Sequence, residues 1–166
     1  MTPTTEVGGR GRALVVDDDS EVRLVLGELF RSIGWDADLA TDGREALALY
    51  SEENYDLVTL DVRMPGMNGE ELLTVLSDAF GAGKRITHRR PATLPPIVLV
   101  TGADEPERLQ ALLFKEGVIG ILRKPASAAA LRRLAEDALQ WRRRREQQQA
   151  DLLLSWKAPS SPGRDD

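Results

Sequence analysis

A short apolar strand that ends in a carboxylate is encoded by residues 56–66, DLVTLDVRMPG. The apolar residues before Asp61 predict a buried strand, and Pro65-Gly66 predicts a turn shortly after it. An acid at the C-terminal end of a buried strand lies at the edge where open parallel α/β sheets bind their ligands. Asp61 is therefore the first candidate for a functional residue.

Short apolar runs alternate with amphipathic stretches along the whole chain, a pattern typical of βαβ units and a parallel sheet. Five strands are predicted, at residues 13–16, 35–40, 56–60, 97–100 and 118–122. Helices are predicted between them and after them, at about residues 22–33, 43–52, 70–80, 105–116 and from Ser127 onward. The sequence therefore predicts an α/β fold whose last helix is extended.

The 166 residues suit one folded domain with tails. A flexible N-terminal tail is expected over residues 1–11, a folded domain over 12–141, and a helical extension with a disordered tail over 142–166. A basic insert at about residues 81–96 is long for a helix-to-strand connection. Its His88 is interpreted as a loop residue, and the insert itself as a flexible loop or as a docking feature for a partner.

Composition excludes several classes of function. The net charge of −5 argues against nucleic-acid binding, and too few residues follow 141 for a helix-turn-helix, so no DNA partner is expected. No apolar run is long enough for a membrane span, and no signal peptide is predicted, so the expected location is cytoplasmic. The absence of cysteine excludes thiol chemistry, and a single histidine excludes a histidine-rich metal site.

Four more polar residues follow or end predicted strands. Asp17 and Asp18 follow the first strand, Thr101 ends the fourth, and Lys124 follows the fifth. A parallel sheet would bring them to one edge with Asp61. Clustered carboxylates need a hard divalent cation, for which Mg²⁺ is the natural choice. A carboxylate can also attack phosphorus, with Lys124 and Thr101 stabilising the transferring oxygens.

These motifs resemble the receiver domain of bacterial two-component response regulators. The resemblance rests on residues 15–19 (VVDDD), 56–69, 98–102 (VLVTG) and Lys124-Pro125. It implies a flavodoxin-like, doubly wound sheet of order 2-1-3-4-5 and phosphorylation of Asp61 by a histidine kinase or histidine phosphotransfer protein. It also implies Mg²⁺ bound by Asp18, Asp61, the backbone carbonyl of Arg63 and, partly through water, Asp17. The Lys124-Pro125 bond is often cis in this family.

Two positions depart from the family pattern. Ile121 occupies the switch position, where the family has an aromatic residue three places before the lysine, and Gly102 replaces the usual alanine after the threonine. An isoleucine can pack at this position, but it offers no rotating ring to a partner. Phosphorylation of Asp61 is therefore expected, but the conformational response that the family makes through its aromatic residue does not follow from it.

The sequence is compatible with four hypotheses of unequal support for the function. The leading hypothesis is a stand-alone receiver that catalyses its own phosphorylation and slow dephosphorylation and signals to an unknown downstream protein. The second is a phosphorylation-independent pseudo-receiver scaffold that acts through its C-terminal helix. A haloacid-dehalogenase-like phosphatase is disfavoured because Arg63, not an aspartate, lies two residues after Asp61. The fourth, a DNA-binding regulator, lacks room for its DNA-binding domain.

The C-terminal extension carries two further features. Residues 142–145 are four arginines, interpreted as a solvated helix face in preference to a nucleic-acid patch. Leu152-Leu153-Leu154 and Trp156 form an apolar group that is expected to be covered. Folding back onto the domain, pairing with a second copy as a homodimer, and docking to another protein remain open alternatives.

Overall fold

The computed structural model describes residues 9–81, 94–102 and 106–155. Most of the predicted basic insert, including His88, lies outside the described residues, as do Trp156 with the C-terminal tail and the first eight residues. Among the helices that are described, none combines the length and apolar character needed to cross a membrane.

Five parallel strands form one sheet in the order β2-β1-β3-β4-β5, and a helix follows each strand. The strands are β1 (Arg12–Val16), β2 (Asp36–Ala40), β3 (Leu57–Asp61), β4 (Ile97–Thr101) and β5 (Val118–Arg123). The helices are α1 (Ser20–Ser32), α2 (Gly43–Glu52), α3 (Gly69–Gly81), α4 (Pro106–Leu113) and α5 (Ala128–Ser155). The predicted flavodoxin-like architecture and strand order are confirmed.

The sheet separates two apolar cores because successive strand residues point to opposite faces. On β1, Leu14 and Val16 belong to one core, while Ala13 and Val15 belong to the other. The first core is covered by apolar residues of α2, α3 and α4, and the second by those of α1 and α5. Burial on both faces explains why the central strands are continuously apolar in the sequence.

Some element boundaries differ from the predicted ones. Trp35 is not in a strand, because its backbone N–H donates to the carbonyl of Phe30 and its ring packs against Phe30 in the core. Helix α4 ends at Leu113 instead of continuing to residue 116. The backbone turns there, with the N–H of Val118 bonded to the carbonyl of Lys115 and Gly117 at φ +85°. Glycine is the residue that adopts this left-handed conformation readily.

The last helix is one continuous element of 28 residues, from Ala128 to Ser155. The side chain of Ser127 accepts a hydrogen bond from the N–H of Ala130, so the predicted first residue is the N-cap and the helix begins after it. The three leucines near its end are 70%, 72% and 82% exposed. They do not fold back onto the domain, so this alternative is wrong for the described part of the chain.

The register of the sheet brings several chain segments to one edge. Val16 lies opposite Leu60, Asp61 lies opposite Val100, and Thr101 lies opposite Arg123. The residues that follow β1, β3, β4 and β5 therefore leave the sheet side by side. This edge is where the candidate site is found.

Candidate functional site

Three carboxylates meet at the C-terminal edge of the sheet. Asp17 and Asp18 follow β1, and Asp61 is the last residue of β3. One carboxylate oxygen from each lies within 4.8 Å of those of the other two. Asp17 and Asp61 are buried, at 0% and 5% exposure, whereas Asp18 is exposed. The cluster thus has a buried floor and one side chain at its mouth.

Asp17 is oriented by its own loop. One of its carboxylate oxygens, Oδ1, accepts a hydrogen bond of 2.9 Å from the N–H of Asp19, and its backbone N–H donates to the carbonyl of Ala40. Its other oxygen, Oδ2, is buried, and the ammonium group of Lys124 lies 2.8 Å from it. This is the distance of a charge-assisted hydrogen bond, so Lys124 stabilises the oxygen both by its charge and as a donor.

Lys124 joins the two buried carboxylates. Its Nζ lies 2.8 Å from Oδ2 of Asp17 and 3.3 Å from Oδ2 of Asp61. Burial by itself would lower the pKa of Lys124, but the adjacent carboxylates outweigh it and raise the pKa. The peptide bond to Pro125 is cis, as the resemblance implied. Lys124, the residue after β5, is therefore a charged group that faces the carboxylate cluster.

Asp61 is poorly solvated for a carboxylate. Burial raises its pKa to about 6, and the negative charge of Asp17 acts in the same direction. The N–H of Arg63, which donates to Oδ1 of Asp61 at 3.1 Å, and the ammonium group of Lys124 oppose this rise. The site therefore holds more negative charge than its own donors compensate, which favours binding of an external cation.

Thr101 lies next to this group of charges. It is the last residue of β4, it is 6% exposed, and its carbonyl accepts a hydrogen bond of 2.9 Å from the N–H of Lys124. The structure thus brings Asp17, Asp18, Asp61, Thr101 and Lys124 to one edge. The roles assigned to them, and the predicted use of the Arg63 carbonyl as a metal ligand, remain predictions.

The two positions that depart from the family pattern lie beside the site. Ile121 is half-buried on β5, where it pairs with Leu99 of β4 and packs against the first core. Among the described residues, a Cβ atom added at Gly102 would meet only the side chain of Lys124, at 3.7 Å or more. Because that is an ordinary contact distance, the site does not require glycine there.

Sequence reasoning missed two residues that support the site. Arg23 on α1 donates to the carbonyls of Asp17 and Asp18, at 2.8 and 2.9 Å, and holds the loop that carries both acids. Gly69, the first residue of α3, packs so closely on the β3 end that a Cβ atom there would collide with the carbonyl oxygen of Asp61. Arg23 appears in the sequence only as a polar residue of an amphipathic helix, whereas Gly69 lies within the stretch 56–69 that resembles the receiver-domain family.

Asp19 has a different position from its two neighbours. Its side chain accepts hydrogen bonds from the N–H groups of Glu21 and Val22 at the start of α1. Asp19 is therefore the N-cap of α1.

Comparison with known proteins gives a consistent result. The family model described as "Response regulator receiver domain" matches residues 13–136. The sensory/regulatory protein RpfC of Xanthomonas campestris pv. campestris is 33% identical over 120 residues, which are 72% of this chain and 15% of RpfC. The DNA-binding transcriptional regulator NtrC of Salmonella typhimurium is 34% identical over 116 residues, which are 70% of this chain and 22% of NtrC.

Among solved structures, the Vibrio cholerae chemotaxis protein CheY4 is similar with a TM-score of 0.62 and 28% identity. The match covers 77% of this chain and 98% of CheY4. The chain spans less than a quarter of the length of RpfC and of NtrC, so the family is shared with a part of each of them. The chain belongs to the receiver-domain family of two-component response regulators.

Proposed function

We propose that this chain accepts a phosphoryl group on Asp61, with Mg²⁺ bound beside it, from the phosphohistidine of a histidine kinase or histidine phosphotransfer protein. The observation that carries the proposal is the position of Lys124, whose ammonium group lies between the buried carboxylates of Asp17 and Asp61. A half-buried cation next to a carboxylate at the C-terminal edge of a parallel sheet suits phosphoryl transfer, where positioning and charge neutralisation supply most of the catalysis.

The residues fit a hard divalent cation. Three carboxylate oxygens lie within 4.8 Å of one another, and the single ammonium group of Lys124 that contacts two of these residues neutralises only part of their charge. Asp17, Asp18 and Asp61 would hold the ion, together with the carbonyl of Arg63. When bound, Mg²⁺ would neutralise charge on the carboxylates and on the transferring phosphoryl oxygens.

In the proposed reaction, a carboxylate oxygen of Asp61 attacks phosphorus and a new O–P bond forms. The P–N bond to the donor imidazole breaks, and its electron pair returns to the ring nitrogen. That nitrogen takes up a proton from solvent, so the donor leaves with a neutral histidine side chain. Asp61 must be ionised to attack, and its pKa of about 6 leaves most of it ionised at neutral pH.

Lys124 and Thr101 would bind the oxygens of the phosphoryl group on Asp61. The ammonium group already lies 3.3 Å from Oδ2 of Asp61, so it can pair with a phosphoryl oxygen bound to that carboxylate. The hydroxyl of Thr101 would donate to a second oxygen. Recruitment of both groups by the phosphoryl group would shift the ends of β4 and β5, and a downstream protein would recognise the altered surface.

The test is covalent labelling by a small phosphodonor. Incubation with acetyl phosphate and Mg²⁺ should add one phosphoryl group to the intact protein, as measured by mass spectrometry, and EDTA should prevent it. Asp61→Asn should abolish labelling, and Lys124→Ala should reduce it by at least about tenfold. Asp137→Asn, at an exposed position of α5, is the matched control and should label like wild type. Equal labelling of Asp61→Asn and wild type would refute the assignment.

A second candidate is the phosphorylation-independent scaffold, and the observation in its favour is Ile121. Its side chain packs against the first core and offers no aromatic ring to report the state of Asp61. Under this hypothesis wild type would remain unlabelled by any phosphodonor, and a partner would bind wild type and Asp61→Asn equally well.

A further inference from the structure

Helix α5 has a part that is packed against the receiver and a part that is not. Within the described residues, the last ion pairs between α5 and the rest of the molecule come from Arg142, which pairs with Asp56 before β3, and Arg145, which pairs with Glu116 between α4 and β5. Arg145 also lies over the ring of Trp141, with 5.0 Å between its guanidinium carbon and the ring centre. Every residue from 146 to 155 is exposed. We call these ten helical residues the extension.

The two ends of the extension differ in chemistry. Arg143 and Arg144 lie just before the extension, and we call this end its base. Both arginines are exposed and pair with no carboxylate in the part of the chain that is described. The tip of the extension carries Asp151 and the exposed leucines 152–154. A helix that ends in three exposed leucines has an apolar patch that remains in contact with water unless another surface covers it.

Apolar area is also exposed near the base. Phe114 is 90% exposed and lies two residues before Glu116, the partner of Arg145. The aliphatic stems of Arg143 and Arg144 add apolar surface there, because long cationic side chains can cover apolar groups while their charges stay in water. The base also carries Glu146, but this acid pairs with Arg142, so Arg143 and Arg144 leave the base with an excess of positive charge. At the tip, Asp151 accepts a hydrogen bond from the neutral amide of Gln147 and keeps its negative charge. Both ends have apolar surface beside them.

We infer that the extension pairs antiparallel with the extension of a second copy of this chain. In that arrangement the tip of each helix lies against the base of the other. Arg144 and Asp151 are seven residues apart, which is about two helical turns, so they lie on the same side of the helix. Antiparallel pairing centred between Gln147 and Gln148 places each Arg144 opposite the other copy's acidic tip.

The charges select this orientation. A parallel pair would set Arg143 and Arg144 against the same two arginines of the other copy, and Asp151 against its equivalent, so that like charges face each other at both ends. An antiparallel pair sets opposite charges together at both ends. Such charges contribute to the orientation of an interface more than to its affinity. A two-fold arrangement also closes after two copies, because the same surface is used on both.

The dimer should be weak. Ten helical residues are about 15 Å long, and a pair of such helices buries less than the roughly 1,200 Å² that is usual in stable complexes. Association should therefore depend on concentration and on salt, since the orienting charges are exposed. It does not require Asp61, so the proposal is independent of the phosphoacceptor function.

The test is sedimentation equilibrium of the full chain over a concentration range of about 10 μM to 1 mM. The average mass of wild type should rise above the monomer mass of 18.3 kDa as concentration increases. Asp151→Arg and Arg144→Asp should each weaken dimerisation by about tenfold, because each change acts twice in a symmetric dimer. The double variant that carries both substitutions should dimerise like wild type, because it exchanges the two charges.

A parallel dimer would respond differently. Neither single reversal would weaken it, because like charges would still face each other, and the double variant would show no recovery. A wild-type chain that stays monomeric throughout, or a double variant as weak as the singles, would overturn the proposal. Both substituted residues are exposed outside the receiver body, so thermal unfolding should confirm that all variants are folded. Asp61→Asn should dimerise unchanged, which separates this result from the fate of the phosphorylation proposal.

Discussion

Asp61 carries a charge that the folded chain opposes. Its carboxylate is buried beside Asp17, and the donors around it compensate only part of the cost, so its pKa rises to about 6. A carboxylate in an unfolded chain titrates near 3.8. Because the folded protein holds this proton more tightly than the unfolded chain does, protonated Asp61 favours folding. The stabilisation is complete below about pH 4 and is lost as the pH rises through 6.

We predict that Asp61→Asn is more stable than wild type at pH 7 when Mg²⁺ is absent. The amide has no charge to desolvate, so the gain should be about 1–2 kcal/mol, the scale set by a pKa shift of this size at a partly screened site. Near pH 4 the two proteins should have similar free energies of unfolding. Urea denaturation in EDTA at a series of pH values measures the difference.

Asp137→Asn serves as the control for this experiment, because Asp137 is exposed and should leave the pH profile of wild type unchanged. A stability difference between Asp61→Asn and wild type that does not vary between pH 4 and pH 7 would show that the charge of Asp61 is not opposed by the fold.

The site residues that lie at the C-terminal ends of strands could be predicted from the sequence. Asp17, Asp61, Thr101 and Lys124 follow apolar runs, and a parallel sheet brings such positions together. Arg23 could not be predicted in the same way. Its interaction with the carbonyls of Asp17 and Asp18 depends on how α1 packs, and no local pattern in the sequence distinguishes it from a solvated arginine.

At the scale of elements, the start of α3 packs tightly against the end of β3, so neither can move independently. Asn68 and Glu71 form a reciprocal cap, in which Oδ1 of Asn68 accepts from the N–H of Glu71 and Oε2 of Glu71 accepts from the N–H of Asn68. The helix that begins there lies against the backbone of Asp61 and Val62. The position of the candidate nucleophile is therefore coupled to the start of α3.

Two glycines in this junction should respond differently to alanine. Gly69→Ala puts a Cβ atom into the Asp61 carbonyl and 3.0 Å from the Cα of Val62, so the backbone must move. We expect a loss of about 2–4 kcal/mol and weaker labelling of Asp61. In Gly66→Ala the new Cβ atom meets no described residue within 4 Å, but φ is +79° there, so the substitution should cost only about 1 kcal/mol. Equal stability losses in denaturant would contradict this account.

Helix α5 is held to the sheet by an ion pair at the opposite end of β3. Arg142 contacts Asp56, which also accepts a hydrogen bond from the backbone N–H of Arg12 at 2.8 Å. Both side chains are partly buried, so the pair should contribute more than a fully exposed one. We predict a coupling energy of about 0.5–1.5 kcal/mol between Arg142→Ala and Asp56→Asn in a double-mutant cycle.

The neighbouring residue Arg143 provides the control for Arg142 in this double-mutant cycle. Arg143 is exposed and contacts no carboxylate in the described ranges, so Arg143→Ala should show no coupling with Asp56→Asn. The interpretation of residues 142–145 as a solvated face is therefore only partly correct. Arg142 and Arg145 pair with acids of the receiver body, and this could not be predicted because those acids are distant in the sequence.

At the scale of the whole molecule, the strict alternation of strands and helices predicted a parallel α/β sheet, and the strand order followed from the resemblance to receiver domains. The limits of the domain were harder to predict, because apolar periodicity weakens after Trp141 and the contacts that follow are ionic. The expected domain end at residue 141 cuts through the turn that carries Arg142 and Arg145. We propose that the folded receiver extends to Arg145.

This boundary leads to a prediction for two shortened chains. A chain that ends at Gln147 keeps the ion pairs of Arg142 and Arg145, so its free energy of unfolding should match that of the full chain to within about 0.5 kcal/mol. A chain that ends at Gln140 loses both ion pairs and Trp141, and it should be about 1–3 kcal/mol less stable. Urea denaturation at low concentration, where the chain is monomeric, provides the comparison. If both shortened chains match the full chain, residues 141–145 are not part of the folded domain and α5 stabilises the receiver only through its buried residues before Trp141.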